Sequence, residues 1–389
     1  MSTVTHLAHD HKIIEDSARE FAKNNILPHV MEWDESQHFP MDLMHQLGQQ
    51  GFLGILVPEE YDGSGLGYQE YITIITEIAK VCGSIGLSLA AHNSLCTNHI
   101  YMFGTEEQKR EHLIPMMRGQ WFWCQGFSEP NAGSDLASLK TSARLEGDEF
   151  VVNGSKIWTS DGDQADWMYA LVRTDTTVKK QQGISFLLID MHAPGVTVKP
   201  IELISGKSHF CEVFFDNVRV PARQLVGPLN GGWTVAKKLL QHEREAMSKF
   251  SEGGAPSPDA LALGRPYLFD EEGTLREPVW RDRLAGLLMD SHAFALTVQR
   301  VKEEALAGQD VSGPASIMKL VQTEQEVAKG ELLTQLMGHR GMSWEGDEFS
   351  RDEHDATRFW LRSKTYTIAG GSSEIQLNVI ARRVLGLPG

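Results

Sequence analysis

The sequence predicts an α+β fold built from three consecutive domains. Apolar residues follow helical spacing up to residue 118, alternating and β-branched runs fill residues 119–228, and helical spacing returns from residue 229. This order differs from the strand–helix alternation of a doubly wound parallel sheet. We therefore predict an N-terminal α-helical domain over 1–118, a middle antiparallel β domain of barrel or sandwich type over 119–228, and a C-terminal α-helical domain over 229–389.

The composition is that of a soluble globular protein. The chain has 389 residues, 41% hydrophobic and 23% charged, and no apolar run approaches the roughly 18 residues that cross a bilayer. Its net charge of −16 repels phosphate backbones, so nucleic acid is not an expected partner. The first residues, MSTVTHLAHDHK, show no signal or transit peptide, which predicts a cytoplasmic location and no membrane partner.

Helical stripes and glycine-rich breaks define the first domain. Apolar residues recur at helical spacing in two stretches, Ile13, Ile14, Ala18 and Phe21, and then Ile72, Ile75, Ile78 and Ala79. The glycines of GSGLG, at 63, 65 and 67, raise the alternative of a nucleotide-binding loop. The G-x-G-x-x-G spacing and the helix that should follow it are missing, so a surface loop is the better interpretation.

The two later domains differ in the period of their apolar residues. The middle domain contains the strand-like runs EFVV, SKIW, DWMYALVRT, GISFLLID and EVFFDNVRV, and Asn153-Gly154 between the first two predicts a two-residue hairpin. In the last domain a helical stripe comprises Leu284, Leu287, Leu288, Phe294, Ala295, Val298 and Val301. The stretch SEGGAPSPDA at 251–260 predicts an exposed connection between helices.

The four cysteines predict reduced core thiols. Cys82, Cys96, Cys124 and Cys211 show no CxxC spacing. Two groups suggest a metal alternative, Cys96 with His99, and the histidines at 6, 9 and 11. Neither group supplies the four ligands of a structural zinc site, so we expect no metal.

The segment most suggestive of a binding site is QGFSEPNAGSD, Gln125–Asp135, which we call the polar loop. It combines small residues, hydroxyls and amides, and its glycines at 126 and 133 would let a ligand approach the backbone. Further along, Trp158, Thr159 and Ser160 offer an indole and two hydroxyls for the same flat polar ring. Taken alone, a tight turn and a core tryptophan explain both segments equally well.

Four motifs in order carry a family resemblance. GFSEPNAGSD, NGSKIWTSDG, QLMGHRG and AGGSSEIQLNVIARRVLG, together with PEEYDGSGLG, FGTEEQKREHLIPMM and FDNVRVP, resemble the acyl-CoA dehydrogenase family over nearly the whole chain. The resemblance implies an α-domain, a β-domain and an α-domain, the last of them expected to be a four-helix bundle. It also implies bound FAD, an acyl-CoA substrate and a homo-oligomer, usually a tetramer and alternatively a dimer.

The resemblance also places cofactor contacts. It implies flavin contacts at Gln125, Phe127, Ser128, Gly133, Ser134, Trp158 and Ser160. The segment with Gln335 and Gly338 resembles the part that reaches a neighbouring subunit's FAD, although His339 stands where a second glycine is usual. Cofactor contacts are implied at Ser372 and Glu374 too, where Ser373-x-x-Gln376 has the pattern of a capping box. The family's R-x-x-F-G aligns with Ala260-x-x-Leu263-Gly264, so that phosphate contact is missing unless Arg265 replaces it.

The catalytic base is the main departure from the common family pattern. Gly370 occupies the usual position of the glutamate, so the base must come from elsewhere or the enzyme is inactive. QHEREAM resembles the subgroup that includes isovaleryl- and long-chain dehydrogenases, which implies that Glu243 is the base. Glu243 also falls on the apolar stripe of Val235 and Leu239, where desolvation would raise its pKa. The alternative is a buried glutamate paired with a distant arginine.

The resemblance implies a complete reaction. Glu243 takes the α-proton of an acyl-CoA thioester, the product is a trans-2-enoyl-CoA, and electrons pass to an electron-transfer flavoprotein. Substrate contacts are implied at Ser134, Arg244 and Gly370, the last through its backbone amide as an oxyanion donor. Two alternatives stay open, a non-catalytic FAD-binding partner subunit of an acyl-CoA dehydrogenase complex and a flavin-dependent acyl-CoA oxidase.

Overall fold

A computed structural model describes residues 2–36, 38–203, 209–239, 259–270, 272–307, 309 and 312–388. The chain divides into two compact units, the first holding the described residues up to 239 and the second those from 259 onward. Helices, a sheet and again helices follow each other along the chain, which confirms the predicted fold class. The domain boundaries predicted at 118/119 and 228/229 stay predictions.

The first unit begins with helices. They are α1 (Ser2–Phe21), α2 (Val30–Ser36), α3 (Met41–Gln49), α4 (Tyr68–Val81), α5 (Gly83–Ala91), α6 (Asn98–Phe103), α7 (Glu106–Gln108) and α8 (Ile114–Met117). The predicted stripes are buried in part, since Ala18, Phe21, Ile75 and Ile78 are each at most 7% exposed but Ile13 is 55% exposed. The GSGLG segment is a loop that ends where α4 begins, as predicted.

A seven-stranded sheet follows in the same unit. Its strands are β1 (Trp123–Gly126), β2 (Ser142–Glu146), β3 (Glu149–Ser160), β4 (Trp167–Arg173), β5 (Ile184–Asp190), β6 (Val196–Pro200) and β7 (Phe210–Pro221). The order is β1-β4-β2-β3-β7-β6, with β5 beside β4. Most neighbours are antiparallel as predicted, but β4 pairs in parallel with β1 and, at Ser142↔Arg173, with β2. A helix over 232–239, α9, completes the described part of this unit.

The predicted hairpin at Asn153-Gly154 is wrong. β3 runs straight through both residues, and the chain reverses six residues earlier, at Gly147-Asp148 between β2 and β3. Gly154 instead lies at an irregularity of the β3–β7 pairing, with φ +141°. A Cβ there would lie 2.7 Å from the Thr141 Cα, so the glycine allows close packing rather than a turn.

Two cores cover the two faces of the sheet. Trp123, Tyr169 and Phe186 pack with helical residues such as Ile100 and Leu113 on one side. Their strand neighbours Cys124, Met168, Ala170 and Leu187 belong to the core on the other side. The alternation follows from the two-residue period of a strand, and it explains why β4 and β5 are apolar on both faces.

The second unit is helical. It contains α10 (Ala260–Leu268), α11 (Pro278–Leu306), α12 (Ser312–Met337), α13 (Arg351–Ser363) and α14 (Ser373–Val379). The predicted stripe of α11 is buried at Leu284, Val298 and Val301. The connection predicted at 251–260 lies outside the described residues up to 258. None of the described helices is long and apolar enough to cross a bilayer.

All four cysteines are free thiols, and three of them, Cys96, Cys124 and Cys211, are buried. Burial raises the pKa of the Cys96 thiol to about 12, which keeps it protonated and unreactive. The prediction of reduced core thiols is therefore confirmed for these three, whereas Cys82 is a free thiol that is only partly buried.

Candidate active site

The polar loop leaves β1 at the edge of the first core. Phe127 is 4% exposed, and its ring lies 5.8 Å from Tyr169 and 6.0 Å from Phe186, measured between ring centroids. Only the backbone of Phe127 can therefore face a ligand. Gln125 is half-buried and its amide nitrogen lies 3.4 Å from the Tyr169 hydroxyl, so the loop begins on a fixed aromatic base.

The tip of the loop is exposed and open. A short bridge joins Glu129 and Ala132, and the residues around Gly133 and Ser134 are exposed beyond it. A Cβ at Gly133 would meet nothing within 4 Å. The other loop glycine has a different reason, because a Cβ at Gly126 would lie 2.2 Å from the Met168 sulfur. The expectation that Gly126 lets a ligand approach is therefore wrong. The missing side chain at Gly126 lets β4 pack closely.

Trp158 is the least ordinary residue of this surface. Its φ is +61°, a left-handed conformation that a bulky side chain rarely adopts, and it lies at an irregularity between β3 and β7. The indole is 54% exposed and meets the Phe210 ring edge-on at 6.0 Å. The strained backbone turns a large flat apolar ring outward, and such a ring offers a face on which a planar ligand can stack.

The two hydroxyls beside Trp158 point to different environments. Ser160 is exposed, and no described residue hydrogen-bonds to its hydroxyl or to that of Ser134. Thr159 is fully buried, and its Oγ1 has no hydrogen-bond partner among the described residues. The expectation that Thr159 reaches the same ring as Trp158 is therefore wrong, because its side chain is enclosed in the sheet.

A buried ion pair underlies the polar loop. Lys156, on β3 and fully buried, places its Nζ 2.8 Å from Oε1 of Glu129 and 3.2 Å from the Phe127 carbonyl oxygen. Burial lowers the pKa of Lys156 to about 8, and Glu129 offsets part of that effect. Burial alone would raise the pKa of Glu129, but the Lys156 ammonium and the donors around it outweigh burial and lower it.

In the second unit, Gln335 lies near the end of α12, and Gly338 follows the helix. The Arg283 guanidinium donates to Oε1 of Gln335 at 2.7 Å, and the same guanidinium lies 5.0 Å from the Trp280 ring centroid. Gly338 has φ +59° and opens a short helical turn over Gly338–Met342. Arg265, the expected replacement for the missing R-x-x-F-G arginine, is exposed on α10. Among the described residues, Arg283 rather than Arg265 is hydrogen-bonded to Gln335.

The glycine turn before α14 has two left-handed residues. Gly370 has φ +67° and Gly371 has φ +98°. The Lys319 ammonium donates to the carbonyl oxygens of Gly371, at 2.7 Å, and of Tyr366, at 3.1 Å. No described backbone carbonyl accepts the amide of Gly370. A free amide on a fixed turn can donate to an anionic oxygen.

The cap of α14 is one residue earlier than predicted. Ser372 is the N-cap, and its Oγ accepts the Ile375 amide at 3.4 Å. The Ser373 hydroxyl instead donates to Glu324 at 2.5 Å, and the Gln376 amide lies 3.3 Å from the Gly370 carbonyl. The capping box predicted from Ser373 and Gln376 is therefore wrong. Backbone and Ser372 hydrogen bonds lower the pKa of the exposed Glu374, which stays ionised.

Glu243 and Arg244 lie outside the described residues. The described members of the same apolar stripe, Val235 and Leu239 on α9, are each 2% exposed. The inward orientation of Glu243 stays a prediction from helical spacing. Sequence reasoning overlooked Glu129, Lys156 and Arg283 as site residues. A signal for two of them was present, because each is a charged residue inside an otherwise small or apolar motif, SEPNAGSD or SKIW.

The residues of the first unit fit a flavin. An outward indole, unpaired hydroxyls at Ser134 and Ser160, and open space at Gly133 match a planar heterocycle with a polar edge. A pocket of about 240 Å³ lies beside the loop, lined by Glu129, Pro130, Asn131, Ala132, Ser138, Lys140, Thr141, Gly154 and Ser155.

Known proteins resemble this chain along its length. Three family models, the acyl-CoA dehydrogenase N-terminal, middle and C-terminal domains, match residues 8–120, 124–218 and 230–385. The short-chain-specific acyl-CoA dehydrogenase of Clostridium acetobutylicum is 31% identical over 97% of this chain and 98% of its own length. The mitochondrial isovaleryl-CoA dehydrogenase of Pongo abelii is 29% identical over 97% of this chain and 89% of its own.

A further relative is longer. Acyl-CoA dehydrogenase FadE34 of Mycobacterium tuberculosis is 39% identical over 73% of this chain, and the match spans only 38% of that protein's length.

Solved structures share the fold. A chain of the ChsE4-ChsE5 complex from Mycobacterium tuberculosis has a TM-score of 0.81 and 27% identity, covering 98% of both chains. A chain from a structure described as the electron transferring flavoprotein of Acidaminococcus fermentans has a TM-score of 0.76 and 29% identity, covering 97% of this chain and 98% of its own. The predicted resemblance is confirmed: the chain belongs to the acyl-CoA dehydrogenase family and is an oxidoreductase of the class that acts on CH–CH groups.

Proposed function

We propose that this chain binds FAD and dehydrogenates an acyl-CoA thioester at its α and β carbons to a trans-2-enoyl-CoA. The observation that carries the proposal is the strained, outward indole of Trp158 beside a polar loop whose Ser134 hydroxyl has no described partner. Residues with backbone strain of this kind cluster at active sites and ligand clamps. FAD at this surface would supply the acceptor for the hydrogen that leaves the β carbon.

Glu243 is the base in this proposal. The α-proton of a thioester is weakly acidic, so its removal needs a carboxylate whose pKa is raised by an apolar environment. The burial of Val235 and Leu239 on the same stripe supports such an environment for a residue four positions beyond Leu239. Arg244 and Ser134 are proposed to contact the thioester substrate rather than to transfer protons.

Gly370 is proposed to stabilise the negative charge that develops on the thioester oxygen. Its amide has no described backbone acceptor, and its φ of +67° is fixed by a turn that Lys319 holds. Preorganised amides of this kind lower a barrier by about 3 kcal/mol each. The glycine that replaces the usual glutamate thus keeps a role through its backbone. Ser372, Glu374, Gln335 and Gly338 are proposed cofactor contacts.

The proposed electron acceptor is an electron-transfer flavoprotein, and the proposed assembly is a tetramer or dimer in the cytoplasm. The fold shared with a chain from the Acidaminococcus fermentans structure supports the acceptor, because that structure is described as an electron transferring flavoprotein.

A second candidate is a non-catalytic FAD-binding subunit that pairs with an active relative. The glycine at the usual glutamate position favours it, as does the likeness to a chain from a complex of two proteins, ChsE4 and ChsE5.

Anaerobic mixing of the purified protein with a panel of acyl-CoA thioesters separates the candidates. We expect the flavin absorbance to bleach, and Glu243→Gln to slow bleaching by about 10²–10⁴-fold without loss of bound flavin. Glu245→Gln, two residues away and predicted by helical spacing to lie on another face, is the matched control and should bleach at the wild-type rate.

Each other outcome rejects part of the proposal. Undiminished bleaching in Glu243→Gln would show that another group is the base. No bleaching with any thioester would favour the non-catalytic subunit, and rapid reoxidation of the bleached flavin by air would favour an oxidase.

A further inference from the structure

The polar loop is fixed from inside the sheet by one carboxylate. Glu129 uses both oxygens: Oε1 lies 2.8 Å from the Thr141 amide nitrogen and 2.8 Å from the Lys156 Nζ, and Oε2 lies 2.6 Å from the Lys140 amide nitrogen. Thus one side chain near the start of the loop accepts two backbone amides from the segment by which the chain returns to β2. Glu129 therefore joins the start of the polar loop to the segment that precedes β2.

Lys156 connects this junction to β3. Its Nζ donates to Glu129 and to the carbonyl oxygen of Phe127, and it is fully buried. A second link follows at the next residue, where the Ile157 amide donates to the Ser128 carbonyl oxygen at 2.9 Å. Lys156 and Ile157 therefore attach residues 127–129 of the loop to the strand that carries Trp158.

A second cation holds the segment that follows the polar loop on its way to β2. The Arg173 guanidinium, on β4, donates to the carbonyl oxygens of Ala137 at 2.6 Å and Leu139 at 3.2 Å. These bonds go to backbone oxygens, so they fix the path of the chain rather than a side chain. Together with Glu129, they leave the exposed tip around Gly133 and Ser134 on a rigid base.

A buried ion pair is a poor device for stability alone. Desolvation of two charges offsets most of their attraction, and apolar residues of the same volume often stabilise a fold as well or better. The pair instead fixes the position of the loop relative to β3, because Glu129 and Lys156 make three hydrogen bonds to backbone atoms in addition to the one between them. Lys156 is fully buried and Glu129 is 9% exposed, although Glu129 also lines the pocket beside the loop.

We propose that Lys156 and Glu129 are positioning residues for the cofactor, which hold the polar loop and Trp158 at the spacing that one planar ring requires. The inference rests on the proposed binding of FAD. Neither residue is proposed as catalytic, because Lys156 is fully buried and both carboxylate oxygens of Glu129 are hydrogen-bonded to protein groups. Their effect passes through the loop backbone and through β3.

The test compares four variants as apoprotein: Glu129→Gln, Lys156→Met, the double variant Lys156→Met/Glu129→Leu, and Glu77→Gln. Glu77 is the matched control, a carboxylate 5% exposed in the same unit, 2.9 Å from Arg19 and 2.5 Å from Lys80. For each variant the dissociation constant of FAD is measured by flavin fluorescence and the midpoint of unfolding in urea by circular dichroism.

We expect the dissociation constant of FAD to rise at least about tenfold in Glu129→Gln and Lys156→Met, because charge-assisted bonds to the loop backbone are lost. The double variant should recover much of the urea midpoint, since no charge is left unpaired, while its dissociation constant stays raised. Glu77→Gln should lower the midpoint and leave FAD affinity unchanged.

The opposite pattern overturns the inference. If the double variant regains wild-type FAD affinity together with the midpoint, or if folded single variants bind FAD as the wild type does, the pair has only a structural role. If the wild-type apoprotein itself does not bind FAD, the proposed function fails first and the inference falls with it. Should a single variant not fold, the double variant decides the question by itself.

Discussion

The two units hold their candidate site residues by different means. In the first unit, Glu129, Lys156 and Arg173 fix the polar loop from within, through contacts between residues far apart in sequence. In the second unit, the turn at Gly370 is set by left-handed backbone and a serine cap close by in sequence, and its described long-range hydrogen bonds come from Lys319 and join Ser373 to Glu324. The first arrangement depends on the core, and the second on local backbone conformation.

The largest effect should come from the core beneath the polar loop. Phe186 is fully buried, with its ring centroid 6.0 Å from that of Phe127 and 6.1 Å from that of Tyr169. Phe186→Ala should lower the free energy of unfolding by about 4 kcal/mol and weaken FAD binding, because the cavity lies under the loop. Urea unfolding and a flavin fluorescence titration check both effects.

Val298→Ala provides the comparison in the second unit. Val298 is 3% exposed on α11, so its loss should destabilise the fold without changing FAD affinity. An equal loss of affinity in the two variants would contradict the difference between the units.

A smaller, pH-dependent effect is expected from Glu353 in the second unit. Hydrogen bonds from Arg340, Tyr267 and the Ser350 amide outweigh burial and hold the pKa of Glu353 at about 2, against an ordinary value of 4.5. Between these values the unfolded chain binds a proton that the folded chain does not, so the free energy of unfolding falls as the pH drops through this window. Glu353→Gln should remove that dependence and cost about 2 kcal/mol at pH 7.

Unfolding in urea at pH 7, 4.5, 3 and 2 measures how the free energy of unfolding depends on pH. The matched control is Asp352→Asn, which changes an exposed neighbour and should keep the acid dependence. An unchanged slope with pH in Glu353→Gln would show that other carboxylates cause the acid sensitivity.

Most of the fold could be predicted because the period of apolar residues changes clearly along the chain. The sheet order could not, since β3 pairs with β7, about fifty residues away, and nothing local encodes that partner. The hairpin prediction at Asn153-Gly154 failed for the same reason. The dipeptide favours a hairpin locally, but pairing along the whole of β3 outweighs that local preference.

The candidate site shows the same limit. Exposed residues such as Ser134, Trp158 and Ser160 could be assigned from the family motifs, whereas Glu129 and Lys156 act through contacts that appear only once the sheet is formed. The left-handed φ of Trp158 has no sequence signal either, because that conformation usually selects glycine or asparagine.

A substitution at Gly154 tests how closely β3 packs against Thr141, in the segment that precedes β2. Gly154→Val would place a Cβ 2.7 Å from the Thr141 Cα at φ +141°, so we expect a loss of about 2 kcal/mol. Gly147→Ala is the control, because Gly147 has φ +68° but open space around it and should cost only about 1 kcal/mol. Thermal unfolding of both variants measures the two losses of stability. Equal losses would mean that the positive φ alone, and not the contact with Thr141, sets the cost.

The smallest effect on stability should come from Trp158, with the opposite sign. Trp158→Gly relieves the left-handed strain, so we expect the free energy of unfolding to rise by up to about 1 kcal/mol while FAD affinity falls. The two measurements are the urea midpoint and the flavin titration. A variant that loses stability and keeps its affinity would place the indole in the fold rather than in the site.

The pairing of β3 with β7 also bears on the order of folding. The registered pairs run from Glu149↔Pro221 to Ser160↔Phe210, so the strand that carries both Lys156 and Trp158 gains this partner only after a long stretch of chain has been placed. Contacts of such sequence separation form slowly because closing the intervening chain costs entropy first. A nascent or refolding chain should therefore form its cofactor surface late. Free FAD should bind only after the sheet has formed, so it should stabilise the folded sheet without speeding its formation.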